Sequence, residues 1–560
     1  MRKTPSYNQK VKREARRKAL SHAVNLVTAR REFAAIVPRK YVRRVRRAKL
    51  DSGHDYDAAA LADLRPKDIR NWEAFRACSL GKRDAGDITV AYLAGPEPAN
   101  DLHALLALGV RPENIWAFEN EQAIARQGRA QLEELAVRGV KFIEMTIEDF
   151  FVGTPRRFDI IYIDACASLP KASRLLVTLF RHSALEPLGV LVTNFSRPDV
   201  SNDILFQSHV NAIAAYLYPK DFRDRRKGGA TDGAMAAGFA MSPPPEDNEA
   251  DESDNDPLFG DEVRRRFAHY YGSFVTRHIV DIAALLAPMA RLAASPLWKQ
   301  LAHCKFAEAV ARGRAMLSWG EGWDSDEFVS DPDALGPIGG EVIGDMANHS
   351  LLWAFAACGA YGALDEFDPP EGLEAFRNDW MRSLYGMPQS KITGADLAAA
   401  YYGLRADPSL QSEALQRVTQ YPYRSKMAFL CDVPNSEIGF YSAFAQFGHP
   451  AHCNVREARR YRYTAKATEM YLDVLPFDEC RYVYDWLSTP ALVPGDWSNP
   501  SAQLTFRLAL DALAKATRCY NSDFLYGCHV IGIDRNFPVN ELGRRRNLSR
   551  KGRKTKKISA

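Results

Sequence analysis

Between residues 88 and 194 the chain alternates short apolar runs with longer amphipathic stretches. Ile88-Thr89-Val90-Ala91-Tyr92-Leu93-Ala94 is almost wholly apolar and stops at Gly95. Asn114-Ile115-Trp116-Ala117-Phe118, Val140-Lys141-Phe142-Ile143, Phe158-Asp159-Ile160-Ile161-Tyr162-Ile163 and Gly189-Val190-Leu191-Val192-Thr193-Asn194 are runs of the same kind. Helical periodicity occupies 99–108, 121–138 and 169–185 between them. Strands alternating with helices of this length predict βαβ units and a parallel sheet. Runs without polar alternation predict strands buried on both faces. The expected fold class is α/β, with a doubly wound, mostly parallel sheet.

Outside this core the pattern changes. Residues 51–86 read as a helical lead-in. Residues 220–262 carry Arg225-Arg226-Lys227, Pro243-Pro244-Pro245 and nine acids from Glu246 onward, the composition of a disordered acidic insertion. Helical pattern resumes at Val263 and runs to 294, which closes an α/β domain over 87–294. From 295 to 540 helical stretches dominate, at 350–361, 394–404 and 501–519, and a mainly helical second domain with some strands is expected there. Its aromatics, as in Tyr482-Val483-Tyr484-Asp485-Trp486, read as core packing or as a base-stacking platform.

Charge changes the picture more than composition does. The 560 residues are 46% hydrophobic and 26% charged, which excludes collagen, whole-chain disorder and a disulfide mini-scaffold. The net charge is only +5, but residues 1–50 hold 17 Lys or Arg against Glu14 and Glu32. Residues 541–560 hold nine against Glu541, so two basic tails flank an acidic body. Within 1–50 a helical pattern over 9–33 is followed by Arg39-Lys40-Tyr41-Val42-Arg43-Arg44-Val45-Arg46-Arg47. Such an arm meets phosphates without needing sequence. The alternative is a solvated tail, or an arm packed on the protein's own acidic body. Nucleic acid is the expected partner of 1–50 and 541–560, and a protein partner is the other.

The longest mostly apolar run, 279–294, contains Asp281 and Arg291 and is too short to span a bilayer, so no membrane association is expected. Nine cysteines stand singly, with no CxxC pair and no secretory apolar core near the start. Free thiols in a reducing cytoplasm are expected. His449, His452 and Cys453, with Cys528-His529 downstream, lack the two spaced ligand pairs of a zinc site, and no metal is expected.

In open α/β sheets ligands bind beyond the carboxyl ends of the strands. That rule selects Gly95, Glu119, Thr146, Asp164 and Asn194. Glu119 lies 24 residues after Gly95, and an acid there accepts the hydroxyls of a ribose. Each position has a plainer reading: Gly95 a tight turn, Glu119 a solvated acid at a helix start, Asp164 a capping turn residue, Asn194 and Phe195 a strand end.

With these residues in view, 87–200 resembles the core of a class I S-adenosylmethionine-dependent methyltransferase. Val90-Ala91-Tyr92-Leu93-Ala94-Gly95-Pro96-Glu97-Pro98 stands where that family has its glycine-rich first motif. Ala117-Phe118-Glu119-Asn120 resembles the ribose-binding acid and its neighbour. Phe158-Asp159-Ile160-Ile161-Tyr162-Ile163-Asp164 resembles the fourth motif, and Leu188-Gly189-Val190-Leu191-Val192-Thr193 the fifth strand. The order and spacing are similar to RNA guanine-N2 methyltransferases in particular. The first motif departs in having Gly95 alone, with Pro96 and Pro98 after it, and Thr146 stands where the family often has an Asp. Asp164-Ala165-Cys166-Ala167 has neither Asp-Pro-Pro-aromatic nor Pro-Cys. Cys166 reads as a small buried residue or as a nucleophile.

The resemblance implies S-adenosylmethionine as cofactor, held by Gly95, Glu119, Asn120, Thr146 and Glu148. It implies Asp164 and Asn194 as the catalytic pair that orients a base amine. Phe195 would stack the target base, and Arg43, Arg44, Arg46 and Arg47 would gather nucleic acid, RNA in preference to DNA. Two other readings stay open. One is an inert methyltransferase fold that binds nucleic acid or a protein, and the other a methyltransferase acting on protein or a small molecule.

Overall fold

The computed structural model describes residues 10–50, 61–198, 256–288, 304–318, 403–413, 447–486 and 544–549, apart from 63, 166 and 405, with single positions in 201–213 and at 291 and 416. The helical stretches expected at 350–361 and 501–519, most of the acidic insertion, Cys166 and the side chain of Arg44 lie outside the described residues.

Each apolar run of the central region forms a strand: β1 Val90–Leu93, β2 Ile115–Phe118, β3 Lys141–Ile143, β4 Phe158–Ile163 and β5 Leu185–Ser196. Every residue of β4 is buried, as expected for a strand covered on both faces. Near the N-terminus lie α1 Lys10–Val27, α2 Arg31–Ala34, α3 Tyr41–Leu50 and α4 Pro66–Leu80. The crossover helices are α5 Ala99–Ala107, α6 Gln122–Glu134, α7 Ile147–Gly153 and α8 Leu169–Arg181. Then come α9 Asp256–Arg265, α10 Phe267–Asp281 and α11 Phe306–Ser318, followed by β6 His452–Cys453, β7 Arg459–Ala465, β8 Thr468–Asp478, α12 Arg481–Tyr484 and β9 Arg546–Asn547.

The nine strands form one mixed, mostly parallel sheet in the order β3-β2-β1-β4-β5-β8-β7-β9, with β6 beside β8. The strand order reverses between β1 and β4, so the sheet is doubly wound and compatible with a Rossmann-like fold. β8 enters antiparallel against β5 over nine positions, from Leu188 with Asp478 to Ser196 with Met470.

Two expectations change here. Residues 295–540 were expected to form a separate, mainly helical domain with some strands, but β6, β7 and β8 of this region belong to the central sheet. Residues 10–50 are also no free arm. Helix α1 lies against β5, β7 and β8, with Ala15, Ala19, Leu20, Ala23 and Val24 buried at helical spacing. Its small alanines let the helix approach the sheet closely. Arginines also serve inside. Arg31 is buried, and its guanidinium donates to the carbonyls of Leu80 at 2.7 Å and Leu188 at 3.2 Å. Arg76 is fully buried between the Val37 carbonyl and Glu32, with its guanidinium carbon 5.2 Å from the centroid of the Tyr482 ring.

Residues 544–549 of the basic C-terminal segment are likewise docked. β9 pairs in parallel with β7, and Arg545 reaches the fully buried carboxylate of Asp473, the Thr276 hydroxyl and the Gly272 carbonyl. Gly272 has no room for a side chain, since an added Cβ would stand 2.9 Å from the Arg545 guanidine. Arg545→Ala is expected to cost about 2–3 kcal/mol, because a charged hydrogen-bond partner leaves a buried carboxylate that, among the described residues, keeps Thr276. Urea unfolding measures this; an unchanged midpoint would show that Asp473 does not depend on the tail. No helix among the described residues is long and apolar enough to cross a membrane.

Candidate functional site

Parallel register places the strand ends side by side. Leu93 pairs with Phe118, Phe118 with Ile143, and Ile163 with Thr193. Gly95, Glu119, Asp164 and Asn194 therefore stand along one edge of the sheet, with Thr146 three residues beyond β3.

Gly95 turns the chain out of β1 with φ of +57°, a left-handed conformation that glycine adopts without strain. A Cβ there would meet nothing within 4 Å, so the requirement is conformational rather than steric. The steric requirement falls on Gly128 of α6, whose added Cβ would stand 3.2 Å from Phe142 and 3.4 Å from the Gly95 carbonyl oxygen. A glycine inside a helix pattern was the signal for this close approach, and it was missed.

The start of α5 is arranged unlike a phosphate cradle. Pro98 stands at its N-cap and carries no N–H. The Ala99 amide donates to Gln131 Oε1 of α6 at 3.1 Å. Asp101 follows in the first turn, buried and ion-paired with the buried Arg16 of α1. Burial pushes the Asp101 carboxyl up to about 6, against the opposing pull of Arg16. A pyrophosphate needs free amide donors at this helix end. Here Pro98 offers no donor, the Ala99 and Asn100 amides are taken, and a carboxylate stands nearby.

Glu119 is half-buried at the end of β2. Its amide donates to the Ile143 carbonyl at 3.1 Å, and its Oε1 accepts from the Glu121 amide at 2.9 Å. Asn120 is exposed beside it. Thr146 is the N-cap of α7, its hydroxyl accepting from the Asp149 amide at 3.0 Å and lying 2.6 Å from the Asp149 carboxylate. Glu148 is half-buried in the first turn of the same helix.

A polar cluster surrounds Asp164, whose side chain is 9% exposed. Its Oδ1 accepts from Asn194 Nδ2 at 2.7 Å, and Oδ2 lies 2.9 Å from the Lys12 ammonium of α1. Asn194 is fully buried, and the same Nδ2 lies 2.8 Å from the Tyr463 hydroxyl of β7. Lys12, Arg16, Asp101 and Tyr463 were not singled out from the sequence. Lys12 and Arg16 were counted in a basic arm, and Tyr463 lay in a region expected to be mainly helical.

Phe195 requires a correction. It was expected to stack a base, yet it is fully buried and pairs in register with Tyr471. Successive side chains of a strand face opposite sides. Asn194 thus faces the α1 side, and Phe195 lies on the other with Tyr471, whose ring meets Tyr271 of α10 at 5.0 Å. Among the arginines expected to gather nucleic acid, Arg43 is exposed and forks onto Glu73, with Nη2 2.8 Å from Oε2. That hydrogen bond holds the Glu73 carboxyl below its ordinary range. Arg47 is exposed and Arg46 half-buried on the same helix, and Arg39 and Lys40 are exposed just before it.

The edge thus combines a glycine turn, an acid two strands from a second acid, and a buried amide and phenol beside that second acid. Such a set can hold hydroxyls at Glu119 and an amine at Asp164. No protein-family model matches the chain, and no curated protein and no solved structure matches it either.

Proposed function

We propose that the chain is an S-adenosylmethionine-dependent methyltransferase acting on nucleic acid, RNA rather than DNA, at a base amine. One observation carries this reading: the strand ends of a doubly wound sheet align Gly95, Glu119, Asp164 and Asn194, while the first helix starts on Pro98, which has no N–H, and on Ala99, whose amide is taken by Gln131. A dinucleotide is therefore disfavoured, whereas a nucleoside cofactor without phosphates needs only the ribose acid and a close backbone approach. The antiparallel β8 inserted beside β5 is in keeping with a methyltransferase-like sheet.

Glu119 would hold the ribose hydroxyls, and the Gly95 turn, backed by Gly128, would leave room for the methionine portion. When bound, the cofactor supplies an activated methyl group. The chain's task is then to orient the target amine and exclude water. Asp164 and Asn194 would accept the amine's hydrogens, and Asp164 would take a proton after transfer. The exposed basic residues of α3, and the basic chain beyond β9, would meet phosphates.

Titration with S-adenosylmethionine by calorimetry tests this. Glu119→Ala is expected to weaken binding by about 1.5–3 kcal/mol, the range for a hydrogen bond to a charged group. Absence of binding at millimolar cofactor would sink the enzyme reading and leave an inert fold, which the single glycine and the two prolines of the first motif would then explain.

A further inference from the structure

Lys12 lies in the first turn of α1, where a cation opposes the helix dipole rather than complementing it. It is not needed to neutralise Asp101, which Arg16 serves one turn later. Its side chain is nevertheless 13% exposed, with the ammonium 2.9 Å from Asp164 Oδ2. The other members of the cluster have unequal demands. Asn194 Nδ2 serves both Asp164 and Tyr463, while Asn194 Oδ1 is buried and accepts no hydrogen bond among the described residues. A buried carbonyl without a donor is costly and calls for an explanation, of which an absent ligand is one. An amino group carries two or more N–H donors. Those donors are enough for Asp164 Oδ2, once Lys12 withdraws, and for Asn194 Oδ1.

We propose that Asp164, Asn194 and Tyr463 form a seat for a primary amino group, which Lys12 occupies in cis until a substrate amine displaces it. The proposal rests on the β4 and β5 strand ends being the substrate site, and it adds the chemistry recognised there and the residue that guards it. Terminal helix turns open at low cost, so Lys12 can leave without α1 losing its packing on the sheet.

The test uses the full chain with Lys12→Met, which keeps the apolar stem and removes the ammonium. Ethylammonium is titrated against the thermal unfolding midpoint, with tetramethylammonium, which has no N–H donor, as the control. Ethylammonium is expected to raise the midpoint of Lys12→Met saturably, with half-saturation about tenfold below that of the wild type. The double variant Lys12→Met with Asp164→Asn is expected not to respond. Guanosine compared with inosine, which lacks the 2-amino group, then assigns the source. A response to guanosine alone of the two places a base amine in the seat; a response to ethylammonium alone places an aliphatic amine there. Equal responses in wild type and variant, or an equal response to tetramethylammonium, would overturn the seat. Lys12→Gln replaces Lys12→Met should the latter not fold. Ethylammonium binding needs no cofactor. A chain that ignores S-adenosylmethionine but passes this test keeps the seat and loses only methyl transfer, and the reverse result removes only the seat.

Discussion

Lowering the pH from 6.5 towards 3 is expected to strip the fold of about 3–5 kcal/mol through one imidazole. His452 of β6 is fully buried, and desolvation pushes its pKa from 6.5 down to about 3. The folded protein holds it neutral, with Nε2 against the Tyr484 hydroxyl. The unfolded chain binds a proton below 6.5 that the folded chain refuses until about 3. Stability is therefore complete above 6.5 and is lost as pH falls, at up to about 1.4 kcal/mol per pH unit. Asp101 works in the opposite sense, since its raised folded pKa makes the native state the better proton binder between its ordinary value and about 6. A comparison of wild type with His452→Gln cancels that contribution. Urea unfolding at several pH values from 7 to 4.5 is expected to give a shallower slope for the variant. Parallel pH profiles would mean that His452 is charged or solvated in the folded state.

Replacing Arg16 by Met is expected to cost about 3–5 kcal/mol at neutral pH. Asp101 is 3% exposed and Arg16 5% exposed, so the variant leaves a carboxylate with its partner gone and no water to replace it. The carboxyl would then be expected to take up a proton at still higher pH. Breaking a buried pair is far worse than removing it. Arg16→Met combined with Asp101→Leu is expected to recover most of the loss, and the double-mutant cycle reads the coupling directly. If Arg16→Met costs less than about 1 kcal/mol, the pair is solvated and α1 is held by its apolar face alone.

The central strands were legible because a strand covered on both faces must be apolar at every position, and β4 is buried throughout. The hairpin of β7 and β8 was not, for two local reasons. Its turn, Lys466-Ala467, has positive φ at both residues, +50° and +71°, without the Asn-Gly chemistry that marks such turns in sequence. Strand β8 carries Asp473 and Pro476 in its interior, residues that argue against a central strand. Asp473 is tolerated because Thr276 and Arg545, from distant parts of the chain, meet it.

The candidate site was half legible for a similar reason. Strand ends reveal Gly95, Glu119, Asp164 and Asn194, because their positions follow from the sheet. Partners brought by other layers do not show in local pattern. Lys12 lies 152 residues from Asp164, and Tyr463 lies 269 residues from Asn194. Charge counting also misled at the N-terminus, since a sum over 1–50 cannot tell Arg31, bonded to carbonyls inside, from Arg47, which is exposed.

The pairing of β5 with β8 has a consequence for how the protein is made. Ser196 ends one strand and Asp478 the other, so a ribosome must add 282 residues after β5 before its neighbour is complete. At roughly 5–20 residues per second this takes about 14–56 s. During that time β5 presents a twelve-residue, largely apolar edge with no antiparallel partner, and α1 has only part of its seat. An unpaired edge of that kind is a template for wrong pairing. Until β8 arrives, correct pairing of β5 therefore depends on that edge staying unpaired.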